Sequence, residues 1–160
     1  MSNSNERFDP NLHKKIAIQL FHHTWDLIEN RHRNEEETNE MIHAAHASRF
    51  HWGIVGEPVH FARGEWQISR VYALAGRFEP SSFHARKSLD LCLANNLGPF
   101  DTGFAYEAMA RAYAVEGNLK KRDEYIEMAK LSAENVENQD DQLWLIKNID
   151  TIKSLSLPTF

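Results

Sequence analysis

The segment Ile68-Ser69-Arg70-Val71-Tyr72-Ala73-Leu74-Ala75-Gly76 returns 41 residues later as Met109-Ala110-Arg111-Ala112-Tyr113-Ala114-Val115-Glu116-Gly117. In both, an apolar residue, a small residue, an Arg, a Tyr and a terminal Gly fall in the same order. Each is followed by a further segment of helical composition, Pro80–Asn96 and Leu119–Val136. A unit of helix, Gly turn and helix cannot bury its apolar face alone, so it must stack on its neighbours. The repeat therefore dictates an all-α array of antiparallel hairpins. Such arrays carry extended binding surfaces, but the repeat names no ligand.

At 160 residues the chain suits one domain with a single core. A hydrophobic fraction of 42% with 26% charged residues is that of a globular protein. A net charge of −5 gives no general attraction for nucleic acid or an anionic membrane, so neither is expected as a partner. The single Cys92 excludes an internal disulfide, and its apolar run, Leu89–Leu93, reads as the site of a buried thiol. No apolar stretch reaches the roughly 18 residues that span a bilayer. Met1–Glu6 is polar and lacks an apolar signal core, which points to the cytoplasm. Residues 1–8 read as a disordered lead.

Seven helices follow from the punctuation. Asp9 and Pro10 start the first, whose stripe is Ile18, Phe21, Trp25 and Ile28 and which runs to about Arg33. Asn34 and Glu37 form a capping box for the second, with Met41, Ala45, Ser48, Trp52 and Val55 on one stripe. The third spans about Pro58–Ala75 and ends at Gly76 as a left-handed cap; the fourth runs from Pro80 to Asn96. Asp101 is expected to cap the fifth and Gly117-Asn118 to end it. The sixth carries Tyr125, Ala129 and Ser132. Asn138 with Asp141 opens a seventh that buries Leu145, Ile149 and Ile152. The pieces are a hairpin over 9–55, repeat hairpins over 58–96 and 101–136, and a capping helix over 139–155, with Trp144 expected to cover part of the array's end.

These residues resemble the tetratricopeptide repeat. Ser69, Tyr72, Gly76, Ala85 and Ser88 match one unit; Ala110, Tyr113, Gly117 and Ala129 match the next. Arg122 stands where the family has a small residue. The 41-residue period exceeds the family's, which is about 34, and the segment 95–101 absorbs much of the excess. The resemblance covers about residues 62–136 and implies a short right-handed stack of hairpins, with the first helix of each lining a concave face.

Nine histidines raise the question of a metal. Glu40-Met41-Ile42-His43 has the E-x-x-H spacing that aims two ligands at one point on a helix. A site would recruit His22 and Glu29 from the first helix with Glu40, His43 and His46 from the second. A second such motif, Glu57 to His60, lies at a helix start, where it cannot complete a di-iron set. Rim or partly buried histidines satisfied by their neighbours are the plainer reading. Cys92 has no nearby His, and no nucleophile elbow or phosphate loop occurs. The chain is therefore read as a non-enzyme without a cofactor.

The remaining constellation follows from the resemblance. Arg63, Trp66 and Arg70 on the third helix, with Phe104, Glu107 and Arg111 on the fifth, would line the concave face. Arg70 and Arg111 would stand side by side, two guanidinium forks for a carboxylate, with the Trp66 and Phe104 rings holding an apolar side chain. The competing reading pairs Arg111 internally with Glu107 at i, i+4. The leading expectation is a scaffold binding a protein or peptide. Metal binding by the first two helices and a homodimer through helix one or seven are the alternatives. The aromatic residues Phe21, Trp25 and Trp52 read as packing between the first two helices.

Overall fold

A computed structural model describes residues 9–153. The expected disordered lead over 1–8 and the last residues of the capping helix, 154 and 155, lie outside the described residues. Seven helices make up the described chain: α1 (Pro10–Glu29), α2 (Glu35–Val55), α3 (Pro58–Leu74), α4 (Phe78–Ala94), α5 (Pro99–Glu116), α6 (Leu119–Glu134) and α7 (Gln139–Lys153). No strand occurs among the described residues, and none of these helices is long and apolar enough to cross a membrane.

Local chemistry explains most boundaries. Asp9 accepts from the Asn11 amide at the start of α1, with Pro10 in the first helical position. The capping box of α2 closes in both directions, Asn34 with the Glu37 amide at 2.8 Å and Glu37 with the Asn34 amide at 2.9 Å. Asn118 and Asn138 accept from the Lys121 and Asp141 amides at the start of α6 and α7. Gly76 and Gly117 sit at φ +73° and +84°, where the amides of Arg77 and Asn118 reach back to the Tyr72 and Tyr113 carbonyls.

Three boundaries differ from the sequence expectation. α1 stops at Glu29 rather than Arg33, because Arg33 turns back and donates to the carbonyls of Leu27, Ile28 and Asn30. α4 begins at Phe78, two residues before Pro80. α5 begins at Pro99 with Gly98 as its cap, and Asp101 does not cap it. The Asp101 carboxylate instead receives two hydrogen bonds from Arg63 of α3, at 2.7 and 3.1 Å.

The hairpins close through small residues and serine hydroxyls. Ser48 of α2 donates to the Ala17 carbonyl of α1, and Ser88 of α4 to the Ala62 carbonyl of α3, both at 2.8 Å. Ser69 and Ser81 exchange bonds across the α3–α4 crossing. A β-carbon at Gly103 of α5 would overlap Leu145 of α7 and crowd Ser132 of α6, so glycine permits that three-helix approach. Hydroxyls spent on helix carbonyls leave no polar atom unpaired in these tight crossings. The first hairpin thus uses the same crossing device as the second.

First helices run side by side in the same direction, as Arg63–Asp101, Trp66–Glu107 and Arg111–Asn148 pairs require. α7 closes the array by packing along α5 and against α6. Its Leu145, Ile149 and Ile152 are buried in the core beside Phe104, Met109 and Ile126. Trp25, Trp66, Glu107 and Asn148 each follow the last by 41 residues. Trp25 meets Trp66, Trp66 bonds Glu107, and Arg70 and Arg111 link Glu107 to Asn148, so the period extends beyond the two segments that announce it. Cys92 is buried, and burial foremost, with Asp101 adding to it, pushes its thiol up to about 12.

Any side chain at φ near +80° is strained by about 1–2 kcal/mol. Gly76→Ala and Gly117→Ala are each expected to lower the unfolding free energy by that amount, read from urea denaturation midpoints at constant m-value.

Candidate functional site

α1 and α3 touch at only a few positions, while α3, α5 and α7 pack closely. The gap opens a cavity of about 300 Å³ on the first-helix face. Its walls are Phe21 and Trp25 from α1, Trp66 from α3, Phe100 and Phe104 from α5, and Trp144 from α7. Ala62 and Ser88 also line it, together with His22, Arg63 and Asp101. The rings fix one another at edge and tilted angles: Trp25–Trp66 at 5.9 Å, Trp66–Phe104 at 5.4 Å, Trp25–Trp144 at 6.0 Å and Phe100–Phe104 at 5.0 Å. A second recess of about 230 Å³ shares Phe21, His22 and Arg63 with the first and adds Ile18, Trp52 and His60.

The six residues expected on the concave face divide into two groups. Arg63, Trp66 and Phe104 line the cavity. Arg70, Glu107 and Arg111 lie beside it as a buried ion-pair cluster. Glu107 is fully buried and accepts from Arg70 Nη1 at 3.0 Å, Arg111 Nε at 2.8 Å and Trp66 Nε1 at 2.9 Å. Arg111 also donates to the Asn148 carbonyl and Thr151 Oγ1 of α7, and Arg70 reaches Asn148 Oδ1 at 3.4 Å. The two guanidinium forks are thus not open to a ligand carboxylate. The i, i+4 pairing of Arg111 with Glu107 forms instead, because α7 packs over α5 and a guanidinium removed from water must find a carboxylate.

Burial alone would raise the Glu107 carboxyl, but Arg111, Arg70 and the Trp66 N–H outweigh it and hold it below the usual range. Burial, then the like charge of Arg111, lowers Arg70 to about 10 against the pull of Glu107, which leaves it charged at neutral pH.

The suggested metal ligands are not brought together. His22 borders the cavity, Glu40 pairs with His23 at 2.8 Å, His43 is exposed, and His46 Nε2 is hydrogen bonded to Tyr72 OH at 2.8 Å. Glu29 takes the Trp25 N–H. Among the described residues no group of three or more His, Cys, Asp and Glu is placed to hold a metal ion. The i, i+3 spacing of His43 and His46 straddles the edge of the buried face of α2, so one ring turns in and the other stays in water.

His46 belongs to a polar cluster between α2, α3 and α4. His84 is hydrogen bonded to Glu65 at 2.6 Å, Arg49 donates to Glu65 at 3.2 Å, and the His46 and His84 rings lie 5.4 Å apart. Burial, then His84, lowers the pKa of His46 against the opposing pull of Glu65.

Phe21, Trp25, Phe100, Asp101 and Trp144 complete the cavity without having been assigned to it from the sequence. Trp25 packs against the cluster of Met41 and Ala45 of α2, as expected, and also reaches Trp66 and Trp144, and Trp144 lines the cavity. The signal for Trp25 was its spacing of 41 from Trp66. No protein-family model matches the chain, and neither a curated protein nor a solved structure matches it.

Two predictions follow from the buried charges. Glu107→Gln removes the carboxylate bonded to both Arg70 and Arg111 and is expected to cost about 3–5 kcal/mol in urea unfolding. On acidification, stability is expected to fall in two stages. A group whose folded pKa is lowered loses its contribution as the pH falls from the unfolded pKa through the folded one. The first stage therefore begins below pH 6.5, where His46 titrates in the unfolded chain, and the second below pH 4.5, from Glu107 and Glu65. Denaturation midpoints from pH 7.5 to 3.5 check both stages, and His46→Gln should shrink the first alone.

Proposed function

We propose that this chain is a non-enzymatic binding scaffold, a divergent tetratricopeptide-like array of the cytoplasm. It holds a peptide segment of a protein partner on the face shared by α1, α3, α5 and α7. The observation that carries the reading is the ring-walled cavity on that face. Apolar, concave and joined to a more polar recess, it has the make-up of sites that take a hydrophobic anchor. The period of 41 supports it too, because equivalent positions of successive first helices deliver side chains to one line. Recognition rests on the rings and on Arg63, while Arg70, Glu107 and Arg111 hold the helices that carry them.

The test is affinity capture from extracts of the native cell with three forms of the protein. Wild type and Phe83→Ala, which alters an exposed ring on α4 away from the cavity, are expected to recover the same partner. Phe21→Ala combined with Trp144→Ala should lose it while melting within a few degrees of wild type. Equal recovery by all three would remove the assignment of this face.

A further inference from the structure

We infer that the cavity takes one bulky uncharged hydrophobic side chain of a peptide, and that the neighbouring recess binds that residue's flanking backbone carbonyls. The inference rests on the proposed peptide-binding role of this face and specifies its chemistry.

Charges on the cavity wall are already spent within the protein. Arg63 is paired with Asp101 through Nε and Nη2. The Trp25 N–H goes to Glu29 at 3.0 Å and the Trp66 N–H to Glu107 at 2.9 Å; the Ser88 hydroxyl goes to the Ala62 carbonyl. A Lys side chain entering here would shed its water and meet no free carboxylate, and an Asp or Glu would meet only Arg63, whose charge Asp101 already balances. An uncharged group meets ring faces and edges at differing tilts and forfeits nothing. A volume of about 300 Å³, at the low end for ligand sites, admits one large side chain and excludes a helix.

The recess is also walled mostly by apolar side chains, but two of its residues keep hydrogen-bond donors. His60 stacks on Trp52 with ring centres 4.2 Å apart, and its Nδ1 accepts the Glu57 amide at 3.0 Å. With Nδ1 accepting, Nε2 is the ring nitrogen that carries a hydrogen. Arg63 keeps its Nη1 hydrogens after both bonds to Asp101. The recess thus offers donors without net positive charge, since Arg63 is neutralised. Peptide carbonyls are neutral acceptors that recur along any extended segment, and the two spaces share Phe21, His22 and Arg63 as a common border.

Full-length protein titrated by calorimetry and by quenching of its Trp fluorescence tests this. The probes are N-acetyl-phenylalanine amide, N-acetyl-leucine amide, the corresponding lysine and glutamate amides, and toluene. The phenylalanine and leucine amides are expected to bind at least tenfold tighter than the lysine and glutamate amides. His60→Phe keeps a ring on Trp52 and removes the donor, so it should weaken the phenylalanine amide about fivefold, one neutral hydrogen bond, and leave toluene unchanged. Equal binding of the charged amides would overturn the inference, as would silence of all probes on wild type. Toluene binding as tightly as the phenylalanine amide would also overturn it and give the cavity to a free apolar molecule. Capture of a cellular partner that depends on Phe21 and Trp144, without probe selectivity, would spare the partner reading and remove this one. Probe selectivity without capture would do the reverse.

Discussion

The single carboxylate of Glu107 organises the second half of the array. It is removed from water, and it receives a guanidinium from its own helix, another from α3 and an indole N–H from α3. The Arg111 guanidinium continues to the Asn148 carbonyl and the Thr151 hydroxyl of α7, and that of Arg70 to the Asn148 side-chain oxygen. Three first helices are therefore tied at one point by charge-assisted bonds, which are short, directional and intolerant of a missing partner. An apolar interface tolerates some sliding; a buried ion pair with several donors does not. The position of Trp66, and with it the inner wall of the cavity, is fixed by its bond to this carboxylate.

The first hairpin is held differently. α1 joins α2 through Ser48 on the Ala17 carbonyl and touches α3 sparsely, chiefly through Gln67, which donates to the Phe21 carbonyl, and the Trp25–Trp66 ring contact. Among the described residues no buried carboxylate ties α1 to α3 as Glu107 ties α3, α5 and α7; the Glu40–His23 pair joins α1 only to α2, at the surface. The space between them is left to aromatic rings, which is why the cavity sits at this junction and not between α3 and α5. The equivalent space further along is closed by the ion cluster and α7. One repeat geometry thus yields an open, apolar junction at one end and a filled, charged one at the other.

Much of the fold was legible in sequence. Asn34 with Glu37, Asn118, Asn138 and the two left-handed glycines act within a few residues of themselves, so their effect does not depend on the rest of the chain. Two of the three misplaced boundaries lie where a side chain found another partner than the one its local sequence suggests. Arg33 folded back on α1, and Asp101 was taken by Arg63, which lies 38 positions away. The site was half legible for the same reason. The register sets Arg70 and Arg111 at equivalent positions, and both meet Glu107, but register sets neighbours and not exposure. Trp144 and Phe100 gave no periodic signal, because each reaches the cavity through the packing of its helix.

By itself the sequence determined seven helices, their order, and a period of 41 that sets equivalent residues of successive first helices side by side. Those outcomes follow from short-range capping, from turn geometry that glycine permits, and from apolar stripes at helical spacing. Tertiary structure decided what the aligned charges do. Only when α7 packs along α5 are Arg70 and Arg111 stripped of water, and a stripped guanidinium is stable only against a carboxylate. Glu107 therefore takes both, and the rings left at the looser α1 junction line the cavity.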